Sequence, residues 1–153
     1  MSRILGIDHG TVRIGLALSD ELQMFANPLK TLDVTPEVEQ EIATLVQQKR
    51  VEEIAIGMPL RMSGERGSAA ERVERFADRL RKLLPEGVQV HFVDERLTSA
   101  AAERSLGFTG KKLDREQKML IDQVAAVAIL QDYLNTKAGA AGWLLPDEGD
   151  GER

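Results

Sequence analysis

Two strand-like runs near the start of the chain stand too close together for a crossover helix to fit between them. Ile4 to Asp8 is a short apolar run suited to burial, Gly10 to Arg13 is a turn, and Ile14 to Ser19 is a second run containing Gly15 and Ala17. Parallel neighbours need a connection of about a dozen residues or more, so these two runs pair as an antiparallel hairpin. That excludes a plain doubly wound nucleotide-binding fold, which needs β-α-β from the outset. Leu29 to Val34, after Asn27-Pro28, supplies a third strand.

Helical periodicity begins only after the third strand. Thr35-Pro36-Glu37 predicts a helix start, with threonine as cap and proline at the first helical position. Val38, Ile42, Leu45 and Val46 then repeat at helical spacing. Residues 53–57 form a strand ended by Met58-Pro59, and 60–67 a loop. A helix over 68–84 places Val73, Phe76, Leu80 and Leu83 on one face, and Pro85-Glu86-Gly87 breaks it. Val88, Val90 and Phe92 alternate in a strand ending at Asp94, with His91 on its polar side. Thr98 caps a short helix ending before Gly107, 107–117 is a polar loop, and the last helix covers 118–135. The order is β-β-β-α-β-α-β-α with one short extra helix. It predicts an α/β domain: a mixed five-stranded sheet, three strands antiparallel and then parallel ones, flanked by helices. The length of 153 residues suits one domain, over 1–137, followed by a flexible acidic tail over 138–153.

Three acidic residues sit where the surrounding pattern is apolar. Asp8 closes the first strand. Asp94-Glu95 closes the strand of Val88–Val93, where ligand crevices of such sheets lie. Asp122 lies in MLIDQVAAVAIL and shares a helix face with Ala125, Ala126 and Ile129, whose small residues let that face approach the sheet. The chain has no cysteine and only two histidines, so thiolate chemistry and His-rich metal centres are excluded. A metal here is held by carboxylates, which favours hard divalent ions. Acids from three distant segments could share one or two divalent ions, and with two the arrangement suits phosphodiester hydrolysis. His9 reads as a packed imidazole beside the strand end. Gly6 and Gly10 keep side chains clear and let backbone and ligand approach.

The formal net charge of −5 argues on its own against a nucleic-acid partner, but its distribution reverses that reading. Residues 147–153 carry a balance of −3, whereas 61–82 and 96–118 each carry +3. Arg13, Arg61, Arg66, Arg96, Lys111 and Lys112 are the bases nearest the acids in the expected fold and are candidates for phosphate contacts. The N-terminus is not a signal peptide, and no window approaches 18 apolar residues, so no membrane partner and a cytoplasmic location are expected.

Four segments carry a family resemblance: GIDHGTVRIGLALSD at 6–20, IAIGMPLRMSGERG at 54–67, FVDERLTSAAAE at 92–103 and DQVAAVAILQDYL at 122–134. In order and spacing the sequence resembles the YqgF family, also called RuvX or Holliday junction resolvase-like. The resemblance implies a ribonuclease H-like fold and a nuclease of ribosome biogenesis, processing the 5′ end of precursor 16S rRNA. It also implies Asp8, Glu95 and Asp122 as catalytic and metal-binding acids, with Asp94 as a further candidate ligand, and Mg²⁺ or Mn²⁺, two ions, as cofactor. Arg13, Arg61, Arg96, Lys111 and Lys112 would hold the nucleic-acid backbone. Val12 stands where the family commonly has lysine, and Met58 where it has leucine. The implied partner is precursor rRNA or a pre-ribosomal particle, met by a monomer or weak homodimer. Cleavage of branched DNA and non-catalytic RNA binding in ribosome assembly are the alternatives. GIDHGT also resembles the phosphate loop of actin-like ATPases, but those need two related domains and this chain is too short for both.

Overall fold

The computed structural model describes residues 2–60, 63–95 and 112–139. Five strands form one sheet: β1 (Arg3–His9), β2 (Arg13–Ser19), β3 (Ala26–Asp33), β4 (Val51–Met58) and β5 (Gln89–Asp94). Their order across the sheet is β3-β2-β1-β4-β5. The first three pair antiparallel, while β1–β4 and β4–β5 are parallel, as the short first connection requires.

Strand alternation divides the side chains between two faces. Leu5, Ile7, Ile14, Leu16, Ile54, Ile56 and Met58 lie on one face and join the main core. It is covered by α1 (Val38–Gln48), through Val38, Ile42 and Val46, and by α2 (Ser68–Arg81), through Val73, Phe76, Ala77 and Leu80. Arg79 of α2 donates Nε–H to Glu39 of α1 at 3.0 Å. Ile4, Gly6, Asp8, Gly15, Ala17 and Gly57 alternate with those residues and face the long helix α3 (Arg115–Gly139). α3 presents Ala126, Leu130 and Leu134 to Ile4 and Ala17.

Several boundaries differ from the sequence expectation. α1 begins at Val38, because Pro36-Glu37 belong to a turn closed by Val38 N–H on the Thr35 carbonyl at 3.1 Å. Thr35 Oγ1 accepts only from the Glu37 N–H, at 3.3 Å, and does not cap the helix. α2 stops at Arg81, which leaves Leu83 43% exposed rather than on the buried face. Phe92 is 37% exposed on the edge strand, with the Arg81 guanidinium 5.6 Å above its ring. α3 starts three residues early because Asp114 and Gln117 form a reciprocal capping box. Asp114 Oδ1 accepts from the Gln117 N–H at 2.8 Å, and Gln117 Oε1 accepts from the Asp114 N–H at 3.0 Å. The expected short helix after Thr98 and the tail beyond residue 139 lie outside the described residues.

Polar contacts fix α3 along its length. Thr31 donates to the Met119 carbonyl at 2.7 Å, and Gln131 Oε1 accepts from the Ala26 N–H at 2.8 Å. Near its C-terminal end, Tyr133 donates to Glu53 Oε1 at 2.7 Å and Lys137 pairs with Glu53 Oε2. His91 stacks on Tyr133, with 5.8 Å between ring centroids. Burial pushes the Glu53 carboxyl up, but the bonds from Lys137 and Tyr133 and the Lys137 charge outweigh it and hold the pKa below the usual value. Burial, then the bond to Glu53, raises the Tyr133 hydroxyl. A depressed carboxyl stabilises the fold above the unfolded pKa of about 4.3, and that stability is lost as pH falls through the folded value. Glu53→Gln is therefore expected to cost about 1–2 kcal/mol at pH 7. In urea melts the difference from the parent protein should begin to shrink as pH falls below about 4.3 and close only below the depressed folded pKa, where both forms carry a neutral side chain.

Candidate active site

Asp8 is the last buried residue of β1 and is 4% exposed. Its antiparallel partner is Gly15, so the two positions share the face beneath α3. A Cβ at Gly15 would lie 2.1 Å from the Asp122 carbonyl oxygen and 3.0 Å from the Asp122 Cβ. Glycine in the middle of β2 thus lets α3 rest on the strand with Asp122 beside Asp8. On the other flank, Ile7 pairs with Ile56, which brings Gly57 next to Asp8 along β4. A Cβ at Gly57 would lie 2.7 Å from Glu95 Oε1, so the Glu95 side chain lies over that glycine. Asp8, Glu95 and Asp122 are therefore gathered on one face, at one end of the sheet, around two strand glycines. The space at Gly6, by contrast, is filled by α3, with the Leu130 Cβ 2.6 Å from where a Cβ would stand.

Each acid has a distinct environment. Glu95 is 9% exposed, and burial, followed by the charge of Asp94, pushes its carboxyl up. Asp94 pairs with Met58 and Val93 with Gly57, so alternation sets Asp94 on the α1–α2 face and Val93 against α3. Asp94 thus lies across the sheet from the other three. Asp122 accepts Arg13 Nε–H on Oδ2 at 2.7 Å, in a pair 24% and 18% exposed. Arg13, expected as a phosphate contact, holds the α3 carboxylate in place. The His9 ring packs on Phe76 with centroids 4.5 Å apart, and burial, then Arg72 and Arg79, lowers its pKa. It is a packed neutral imidazole, in line with its sequence reading.

Among the described residues no three carboxylate or imidazole groups stand close enough to chelate one ion. The donor set is nonetheless all hard oxygen, two of its members are almost fully buried, and that chemistry fits Mg²⁺ or Mn²⁺. Lys112 is exposed, ahead of α3. Arg61, Arg96 and Lys111 lie outside the described residues. The role of Gly15 and Gly57 as spacers, and that of Arg13 as the partner of Asp122, were not read from sequence. A glycine inside an otherwise apolar strand was the available signal.

The fold is shared with known resolvases. RuvC of T. thermophilus, solved in complex with a Holliday junction substrate, superposes with a TM-score of 0.53 at 14% identity, covering 91% of this chain and 97% of that one. The Fowlpox virus resolvase, solved with Holliday junction DNA, gives 0.55 at 10% identity, covering 89% and 99%. These likenesses establish the ribonuclease H-like fold. A Bacteroides fragilis protein named "Putative pre-16S rRNA nuclease" is 44% identical over 138 residues, 90% of this chain and 99% of that one. A Chloroflexus aurantiacus protein of the same name is 46% identical over 136 residues, 88% of this chain and 87% of its own. The family profile described as RuvX, Holliday junction resolvase, matches residues 2–136. The chain belongs to the RuvX family. The RuvX match spans Asp8, Glu95 and Asp122, together with Gly15, Gly57 and Arg13, so the whole constellation lies inside the family's own segment. No helix among the described residues is long and apolar enough to cross a membrane.

Proposed function

We propose that this chain is a divalent-metal-dependent nuclease that hydrolyses phosphodiester bonds in 5′-end maturation of precursor 16S rRNA. The observation that carries the reading is the gathering of Asp8, Glu95 and Asp122, from three distant segments, on one sheet face around Gly15 and Gly57. These acids would hold Mg²⁺ or Mn²⁺, two ions in our reading. Ions bound there would supply Lewis-acid polarisation of the phosphate and a water of lowered pKa. The protein's own part is positional. β1 fixes Asp8 through pairing on both sides, Arg13 orients the Asp122 carboxylate, and Phe76 and His9 wall the opposite face. Exposed Lys112, with Arg61, Arg96 and Lys111, would meet the phosphate backbone.

The choice of RNA is supported by the names of the full-length relatives. The family description and the resolvase fold favour a second reading, cleavage of branched DNA. A single assay separates them. Purified protein is incubated with a 16S precursor fragment carrying its 5′ extension, or with a four-way DNA junction, in Mg²⁺, in Mn²⁺ and in chelator. Cleavage of the RNA alone, restored by metal after chelation, is the expected result. Metal-dependent cutting of the junction alone would move the assignment to DNA. Binding of the RNA without cleavage in any metal would reduce the chain to an assembly factor.

A further inference from the structure

The opposite end of the sheet carries a cavity of about 200 Å³ lined by Arg3, Glu21, Gln48, Lys49 and Arg50. Three of its five residues are bases. They come from the first residue of β1, the C-terminal cap of α1 and the connection into β4. The backbone there is tightly tied: Arg3 N–H donates to the Arg50 carbonyl at 3.1 Å and Arg50 N–H to the Gln47 carbonyl at 3.3 Å. Arg50 has φ +55, a left-handed conformation that glycine adopts without strain and arginine does not.

Among the described residues, none of these three basic side chains makes an ion pair or hydrogen bond. Arg13, Arg66, Arg79, Arg81 and Arg115, by contrast, are each paired with a carboxylate. Glu21, on the same wall, is not within ion-pair distance of the cluster and leaves an excess of two positive charges. Bases at a helix C-terminus often serve the helix dipole by bonding its last carbonyls. Here the side chains do not bond them. Converging unpaired cations around a small polar cavity suit a phosphate group.

We propose that Arg3, Lys49 and Arg50 form a second phosphate-binding site, which takes the sugar–phosphate backbone of the nucleic acid away from the carboxylates. The inference rests on the reading that the ligand is RNA and adds a contact that reading does not contain. From Arg3 to Asp8 is five residues of β1, about 17 Å at the rise of a strand. A strand touching both ends must therefore run along the domain for about five nucleotides at a rise of about 3.4 Å per step.

The test measures binding of a labelled 16S precursor fragment in chelator, on an Asp8→Asn background so that cleavage plays no part. Lys49→Glu is expected to weaken binding about tenfold and to reduce the slope of log affinity against log salt by about one. Lys82→Glu, the same change of net charge on the end of α2, is expected to weaken it no more than about twofold. Arg50→Gly is expected to weaken binding while raising Tm, because glycine relieves the strained φ. Equal losses in Lys49→Glu and Lys82→Glu would reduce the cluster to general surface charge. Undiminished binding by Arg50→Gly would overturn the site. Inorganic phosphate that raises the Tm of the parent protein but not of Lys49→Glu, with RNA affinity equal in both, would replace the backbone by a small free anion and overturn the assignment. Failure of the nuclease reading would show separately, as absence of cleavage by the parent protein in metal.

Discussion

Gly15→Ala is expected to lower stability by about 3 kcal/mol or more, and Tm by about 10 °C. A methyl group here meets backbone: it would stand 2.1 Å from the Asp122 carbonyl oxygen and 2.4 Å from the carbonyl carbon. Neither atom can rotate aside. Either β2 leaves its antiparallel pairing with β1 and β3, or α3 lifts from the sheet. Lifting α3 opens the contacts of Ala126 and Leu130 with Ile4 and Ala17 and carries Asp122 away from Asp8. Cleavage should therefore fall together with stability. Gly57→Ala is the informative comparison, because its methyl would meet Ile129 Cδ1 at 2.6 Å and Glu95 Oε1 at 2.7 Å, both ends of flexible side chains. That change should cost only about 1 kcal/mol and act on Glu95 rather than on the fold. Thermal melts of the two variants check the contrast. Equal Tm values would mean that α3 does not lie on β2 as closely as the fold requires.

The same two glycines show how far the sequence could be read. The hairpin, the succession of antiparallel and then parallel strands, and the alternation along β5 were legible, because a short turn and a period of two leave few alternatives. The three acids were legible as isolated charges in apolar frames. What brings them together was not, since contact between Gly15 and Asp122 joins residues far apart in the chain, and local pattern carries no such information. The same holds for Arg13. Its approach to Asp122 depends on the register of β2 under α3, and from sequence it was one base among several.

Misjudged boundaries have local causes. The start of α3 was written in the sequence as Asp114 followed three residues later by Gln117, but that pair stood inside a polar, glycine-containing stretch that read as loop. Phe92 matches the inward phase of β5, yet β5 is an edge strand reached by only part of α2, so the ring remains partly in solvent beneath Arg81. Strand periodicity reports which face a residue takes. It does not report whether a helix covers that face. The cluster of Arg3, Lys49 and Arg50 was hidden for a related reason: Lys49-Arg50 reads as an ordinary basic helix end until Arg3 is placed beside it.

Asp8→Asn is expected to reduce metal-dependent cleavage about a thousandfold, the kinetic equivalent of several kcal/mol of transition-state stabilisation. The substitution keeps the shape of the side chain and removes its charge. Asp8 is the acid whose position is set most rigidly, since β1 is the central strand and is paired with β2 on one side and β4 on the other. Asp122 and Glu95 are delivered by a helix and by the end of an edge strand, and their placement can relax more readily. A ligand on a central strand holds its geometry without help from the others, so removing its charge removes a preorganised contact. A second readout separates metal binding from a direct role in the chemistry. An ion that binds only the folded protein stabilises it by about 2.7 kcal/mol at a hundred times its dissociation constant, so Mn²⁺ should raise the Tm of the parent protein. Most of that rise should vanish in Asp8→Asn. Lost cleavage with the Mn²⁺-dependent rise intact would remove Asp8 from the metal ligands. Undiminished cleavage would remove it from the site, and with it the claim that the face around Gly15 and Gly57 is where phosphodiester bonds are cut.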